Sequence, residues 1–216
     1  MKSLIKSIWS RTKKKSEVRH LDHPRSLQIG DLLQMSDSYG LPECLRAQVF
    51  KVGGLGTCQF QHSFSTTFSL LGENDDGIEL TIEKDSGRER AAFSFIADEN
   101  LVEKIFDLDE FSKIFESKGT TLLAKDISIV DGFIADEYTQ TVIAERGYYY
   151  EGKDFRGSQP SSLEGEGEPF DYFCLVSKRG THAVEIEVYE GGETEVYMTL
   201  YRDTTDIKEL WPASGQ

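Results

Sequence analysis

Two segments of equal length, in which apolar and polar residues alternate, constrain the fold of this chain more than any other feature. The first runs from Phe68 to Phe106 and the second from Phe173 to Trp211. Each has an apolar run, a turn, an alternating stretch, a glycine-containing turn and a second alternating stretch. Alternation with a period of two is typical of half-buried β-strands. Strands joined by such short turns predict antiparallel meanders.

The two segments align as copies of one unit, with Gly87 matching Gly192 and Asp98 matching Asp203. We therefore predict a β-rich α+β fold made of two tandem copies of an antiparallel β-meander, each closed by a C-terminal helix. The first helix is expected from residue 99 to about 116, capped by Asp98, and the second near 205–211. A chance similarity between two ordinary β-hairpins is the alternative.

The chain divides into three predicted regions. Residues 1–25 form a basic amphipathic head segment, residues 26–116 the first β-rich repeat and residues 117–216 the second. Within the second repeat, residues 153–169 are rich in Gly, Pro, Ser and Glu and have no periodicity. Such a composition predicts a mobile acidic loop.

The head segment has eight basic residues against two acidic ones, although the formal net charge of the chain is −14. Its large apolar residues fall on one face at helical spacing. A basic amphipathic helix suits an anionic membrane surface or a protein partner. A passive terminal tail is the alternative. The residues assigned to docking are Lys2, Leu4, Ile5, Lys6, Ile8, Trp9, Arg11, Lys13, Lys14 and Lys15.

Composition limits where such a protein works and what it binds. Three cysteines are few and odd in number, which predicts free thiols in a reducing cytoplasm. No apolar run reaches the length of a membrane span, so we expect a cytoplasmic protein, peripheral to the inner membrane if the head docks there. A pI near 4.7 disfavours nucleic acid as a partner. Assembly into a homo-oligomer is left open.

The sequence has no catalytic signature, and it predicts neither an enzyme nor a cofactor or metal site. Gly53–Thr57 lacks the lysine of a phosphate loop and is interpreted as a hairpin turn. Gly72–Gly77 resembles a calcium loop but lacks the first aspartate. His20 and His23 have no further zinc ligands at suitable spacing.

A run of three tyrosines, Tyr148, Tyr149 and Tyr150, is followed by Glu151 and the acidic loop. Neighbouring residues of a strand face opposite sides, so at least one ring should be partly exposed. Aromatic rings beside carboxylates suit a cationic ligand or partner. We predict a ligand or partner surface at Tyr148–Glu151, with core packing of the tyrosines as the alternative.

Three stretches of the sequence resemble the uncharacterised bacterial YjfK-like proteins. They are the basic start MKSLIKSIWSRTKKK, the stretch LQIGDLL at Leu27–Leu33 and the closing strands before Trp211. These proteins occur near envelope-stress genes of the phage-shock type. The resemblance implies a cytoplasmic, membrane-adjacent role in an envelope-maintenance system. It transfers no functional residues.

These patterns together predict a non-catalytic binding or adaptor protein of unknown ligand, held near the inner membrane or a membrane-associated partner by its head. One alternative is an enzyme whose cleft between the repeats uses Glu185, Glu187 or the tyrosine cluster. Another is a structural subunit that assembles through an edge strand.

Overall fold

The structure, a computed structural model, describes residues 19–73, 77–85, 87–116, 119–157 and 167–213. Strands dominate this part of the chain, and they are β1 Leu32–Met35, β2 Val49–Gln59, β3 Phe64–Leu71, β4 Ile78–Asp85, β5 Arg88–Ile96, β6 Thr121–Leu123, β7 Glu137–Glu151, β8 Glu168–Ser177, β9 His182–Tyr189, β10 Thr194–Asp203 and β11 Ile207–Trp211. The α-helices are α1 Glu99–Ile105 and α2 Leu108–Ser112. Single 3₁₀ turns cover Pro24–Ser26, Lys113–Phe115 and Thr204–Asp206.

Eight of the strands close into one antiparallel barrel. Their order is β2-β3-β4-β5-β10-β9-β8-β7, and β7 pairs back to β2, where Tyr149 lies opposite Cys58. Strands β1 and β11 extend the sheet beyond β2, and β6 extends it beyond β7. Closure gives each barrel strand a hydrogen-bonded neighbour on both sides.

The predicted fold class, two tandem meanders each closed by a helix, is wrong. Strand β5 pairs with β10 from Ile96 opposite Tyr197 to Arg90 opposite Asp203, which joins the two predicted repeats in one sheet. The β2–β7 pairing joins them a second time. Two separate meanders would each leave two edges of unpaired N–H and C=O groups, and pairing with each other satisfies them.

The predicted helices meet different outcomes. The Asp98 cap is confirmed, since its carboxylate accepts the N–H of Leu101 at 2.8 Å. The helix ends after Ile105, and the chain starts again as α2 with a new cap at Asp107. The helix predicted near 205–211 is wrong, because Ile207–Trp211 forms β11 on the free edge of β1.

The outward faces of the barrel strands are apolar. Leu80 and Phe93 belong to one fully buried cluster, and Val184 and Met198 belong to a second. The first cluster is covered by leucines from residues 21–45, and the second by side chains from α1, α2 and their flanking segments. Apolar burial therefore holds these covering segments on the outside of the barrel. The inward faces are left to polar residues.

The described N-terminus packs on the barrel. The Arg19 guanidinium pairs with Asp31 and donates to the carbonyl of Ser26, and Leu21 and Leu27 are buried. Residues 19–25 thus contact the body of the protein although they fall in the predicted head. The docking residues predicted between Lys2 and Lys15 lie outside the described residues. None of the helices in the described ranges is long and apolar enough to cross a membrane.

Candidate functional site

The inward faces of the strands enclose a cavity of about 340 Å³. All eight barrel strands contribute to its wall, so it is the lumen of the barrel. It lies within the size range of small-molecule sites. Its lining is rich in Glu, Tyr, Ser and Thr and consists of Cys58, Phe60, Ser65, Thr67, Glu79, Thr81, Glu83, Ser94, Ile96, Tyr149, Glu168, Tyr172, Glu185, Glu187, Tyr189, Glu193, Glu195 and Tyr197.

Strand alternation places the glutamates in the lumen. On β4, Glu79 and Glu83 face inward, while Ile78, Leu80 and Ile82 are buried in the outer cluster. On β9 the sequence VEIEVY repeats this arrangement, with Glu185 and Glu187 facing inward. A period of two makes this division unavoidable once one face is buried.

Strand register brings like charges together. Glu187 of β9 lies directly opposite Glu195 of β10, and Glu185 lies opposite Tyr197. Like charges at directly opposed positions destabilise a sheet. Since the outer cluster fixes the register, the repulsion is retained in the fold.

Tyrosine hydroxyls donate to three of these carboxylates. Tyr172 donates to Glu185, Tyr189 to Glu187 and Tyr197 to Glu195, each at 2.6 Å. Hydrogen bonds to a charged acceptor are short and strong. These bonds fix the carboxylates of the lumen in defined positions.

One end of the lumen is closed. Ala92, Cys174, Ala183 and Tyr201 form a buried cluster, and the Tyr201 hydroxyl lies 3.4 Å from the carboxylate of Glu185. We call this cluster the floor.

Beside the floor, Arg90 donates to Glu83 at 2.8 and 2.9 Å, and its guanidinium lies 3.5 Å from the centre of the Tyr201 ring. At the opposite end Ile96, Glu168 and Glu193 are exposed, and this end is the mouth.

The electrostatics of the lumen disfavour ionisation of two glutamates. The pKa of Glu79 is raised to about 7 by burial and then by Glu195 and Glu185. The pKa of Glu187 is also raised to about 7, by burial and by the neighbouring carboxylates, and the hydrogen bond from Tyr189 opposes this rise. Burial and like charge both favour the neutral carboxylic acid.

The same field acts on the other titratable groups. Burial, followed by the nearby glutamates, raises the pKa of the Cys58 thiol well above its usual value. Burial and Glu187 likewise raise the pKa of Tyr189 and of Tyr197. At neutral pH these groups are therefore neutral, and Cys58 is a poor nucleophile.

Two carboxylates retain capacity for a ligand. Glu187 is only 8% exposed, and Tyr189 donates to its Oε2. Within the described residues, Oε1 of Glu187 and both oxygens of Glu79 have no hydrogen-bond donor. In the described part of the chain, the only buried side-chain oxygen or nitrogen without a partner is Thr66 Oγ1, so these glutamate oxygens keep contact with solvent, where a ligand donor can reach them.

Metal binding is not supported by this geometry. No group of three or more His, Cys, Asp or Glu side chains in the described ranges is arranged to hold a metal ion. His20 lies near Asp22, whereas His23 pairs with Glu89 at 2.8 Å, so the two histidines have different partners. Residues 74–76 of the calcium-like loop lie outside the described residues.

The tyrosine run is divided between two environments. Tyr149 lines the lumen, whereas Tyr150 is buried, donates to Gln59 at 2.9 Å and packs against Phe155. Tyr148 is half-buried, and Glu151 is exposed at the end of β7.

Gly56 makes the position of Tyr149 possible. A Cβ at residue 56 would lie 2.4 Å from the Tyr149 hydroxyl. The segment Gly53–Thr57 lies in the interior of β2. The prediction that it forms a hairpin turn is wrong. Its glycines serve side-chain packing inside the sheet.

The sequence pointed to only part of this site. Tyr149 was predicted as a binding residue, and Glu185 and Glu187 were named for the alternative enzyme. Glu79, Glu195 and Tyr197 were missed. The signal available was a polar residue at every second position between aliphatic residues, and two of the three such residues are glutamates in both IELTIE and VEIEVY. That pattern is also typical of a solvated strand face, and only barrel closure distinguishes the two.

No family model, curated protein or solved structure matches this chain. The resemblance to YjfK-like proteins therefore stays a prediction.

Proposed function

We propose that this is a non-catalytic binding protein whose barrel lumen holds a small organic cation. The observation that carries the proposal is the cavity of about 340 Å³, to which β4, β7, β8, β9 and β10 contribute glutamates and tyrosines. Concave sites with a few converging polar groups are the usual location of small ligands.

Charge supports a cationic ligand. Among the described residues that line the cavity there are seven glutamates, and none is Lys, Arg or His. A bound cation would relieve the repulsion between Glu187, Glu195 and Glu79. It would also allow the two glutamates with raised pKa values to ionise.

An organic cation fits better than a metal ion. Among the described carboxylates, no group of three or more could hold a metal ion. The wall also carries Phe60, Ile96 and several tyrosine rings, which offer apolar contact and cation–π attraction. A protonated amine uses both kinds of surface, because its N–H groups reach carboxylates and its carbon skeleton packs on the rings.

Isothermal titration of the full chain against matched alkyl compounds tests the proposal. A primary amine, the carboxylic acid of equal length and the neutral alcohol share an alkyl chain and differ in the head group, which is positive, negative and neutral at pH 7. We expect measurable binding of the amine only. Binding should weaken as the pH falls below about 7, because Glu79 and Glu187 then take up protons.

Variants show where the amine binds. Glu187→Gln should weaken amine binding by about tenfold, since it removes a charge-assisted hydrogen bond. Glu209→Gln is the matched control, because Glu209 is exposed on β11 outside the lumen. Equal affinities for amine, acid and alcohol, or equal losses in the two variants, would contradict the proposal.

The enzyme alternative is favoured by one observation. Two carboxyl groups with pKa values of about 7 are suited to proton transfer near neutral pH. Following each bound compound by NMR for a day separates the two functions. An unchanged ligand supports binding alone, and a new product supports catalysis.

The proposal includes the predicted head as an anchor. A binding protein tethered through residues 1–15 to an anionic membrane or to a protein partner would concentrate its ligand there. The excess of basic residues in residues 1–25 supports this.

A further inference from the structure

The lumen carboxylates lie at two levels along β9. Glu185 is at the lower level, where Tyr172 and Tyr201 approach its two oxygens and the buried floor lies next to it. Glu187 is two residues nearer to the mouth and directly opposite Glu195. Two residues of a strand correspond to roughly 6.8 Å.

Each level can accept its own donor. At the upper level, Glu187 is more than nine-tenths buried and its Oε1 has no donor among the described residues. At the lower level, each tyrosine hydroxyl occupies one lone pair of Glu185, and a carboxylate has about four acceptor positions. A ligand with a single positive charge would leave one level without a counter-charge.

We infer that the ligand is a linear diamine, with one ammonium group at Glu185 and the other between Glu187 and Glu195. This inference rests on the proposed function, that the lumen binds an organic cation. A separation of roughly 6.8 Å along the strand requires a spacer of about four or five methylene groups. The tyrosine rings around the two levels contact that spacer.

Titration calorimetry of the full chain with 1,5-diaminopentane and n-pentylamine tests the inference, because the two compounds differ only in the second amine. We expect the diamine to bind at least about tenfold more tightly, the gain of one further charge-assisted hydrogen bond. Diamines with two or three methylenes should lose most of this advantage, since they cannot reach both levels.

Glu185→Gln separates the two levels. It should reduce the affinity for the diamine to that for n-pentylamine, while the affinity for n-pentylamine itself changes by less than about threefold. Glu209→Gln again serves as the control. If Glu185→Gln does not fold, the spacer series on the unaltered chain decides the question.

The outcomes separate this inference from the proposed function. Equal affinities for diamine and monoamine, or an affinity independent of spacer length, would overturn the diamine while the organic cation stands. If neither amine binds, the proposed function itself fails.

Discussion

At the scale of single residues, the lumen shows how burial changes the chemistry of ordinary glutamates. Glu79 and Glu187 each lie between two aliphatic residues on a strand, as many solvent-exposed glutamates do. Both nevertheless have pKa values raised to about 7. Desolvation is the first cause and neighbouring glutamates the second. Their protonation state therefore depends on pH near neutrality.

This difference predicts how stability depends on pH. Both folded-state pKa values lie above the ordinary value of 4.5. Between these values the folded chain holds protons that the unfolded chain has released, so stability should fall as the pH rises from about 4.5 to 7. The loss should be on the order of 2 kcal/mol per group. Urea unfolding at pH 5 and pH 8 measures it.

Glu187→Gln should flatten that pH dependence and stabilise the ligand-free protein at pH 8. Glu209→Gln should leave it unchanged, since Glu209 is exposed. If the free energy of unfolding of Glu187→Gln depends on pH as steeply as that of the unaltered chain, the interpretation is wrong.

At the scale of elements, glycines in β2 decide how closely strands and side chains approach. Gly56 lies against the ring of Tyr149, and Gly53 lies against Leu71. A strand with a side chain at either position could not keep these contacts. Gly56 therefore makes room for a tyrosine that lines the lumen.

Gly56→Ala should lower the free energy of unfolding by about 1–3 kcal/mol, because the new methyl group overlaps the Tyr149 ring. Most of the loss should disappear in combination with Tyr149→Ala. Thermal unfolding of the single and double variants measures the coupling. Gly157→Ala is the control, since nothing lies within 4 Å of a Cβ there. If Gly56→Ala and Gly157→Ala lower the stability equally, the steric cause is ruled out.

The N-terminal cap of α1 gives a second test at this scale. Asp98→Ala should cost about 1 kcal/mol, because the N–H of Leu101 loses its acceptor. Chemical denaturation gives the value. Asn at this position should retain most of the stability, and a loss as large as that of Ala would argue against capping.

At the scale of the whole molecule, covering segments and barrel depend on each other. The N-terminal leucines Leu21 and Leu27 are buried in the outer cluster, and Arg156 donates to the carbonyls of Arg25 and Leu27 at 2.6 and 2.7 Å. The apolar outside of the barrel would be exposed without these segments. The fold thus needs residues 19–27, which belong in part to the predicted head.

Two truncations separate the head from the fold. Removing residues 1–18 should leave the melting temperature within about 2 °C, whereas removing residues 1–27 should lower it strongly, because Leu21 and Leu27 are buried. Thermal unfolding monitored by circular dichroism measures both. Equal melting temperatures for the two truncations would show that these leucines contribute little.

Removing residues 1–18 should also abolish co-sedimentation with anionic vesicles, and added salt should weaken the binding of the full chain. Retention of vesicle binding by the truncated chain would eliminate the head as the membrane anchor.

Local pattern was sufficient for most of the strands and for the Asp98 cap, because alternation and capping depend on neighbouring residues. It failed for β11, which was predicted as a helix, and for the interior of β2, which was predicted as a turn. It placed Glu185 and Glu187 on one strand face and Tyr149 on another. Local pattern could not predict which strands pair with each other. Pairing of β5 with β10 and of β2 with β7 joins residues about a hundred positions apart, and many alternating strands could pair equally well.

The sequence alone determined which residues share a face, since side-chain direction alternates along every strand. Only the tertiary structure decided that the glutamate face points inward. Because the barrel closes, a polar strand face of the kind that is usually exposed to solvent lines a confined lumen instead. Confinement raises the pKa values of Glu79 and Glu187, because carboxylates from distant strands then share little water.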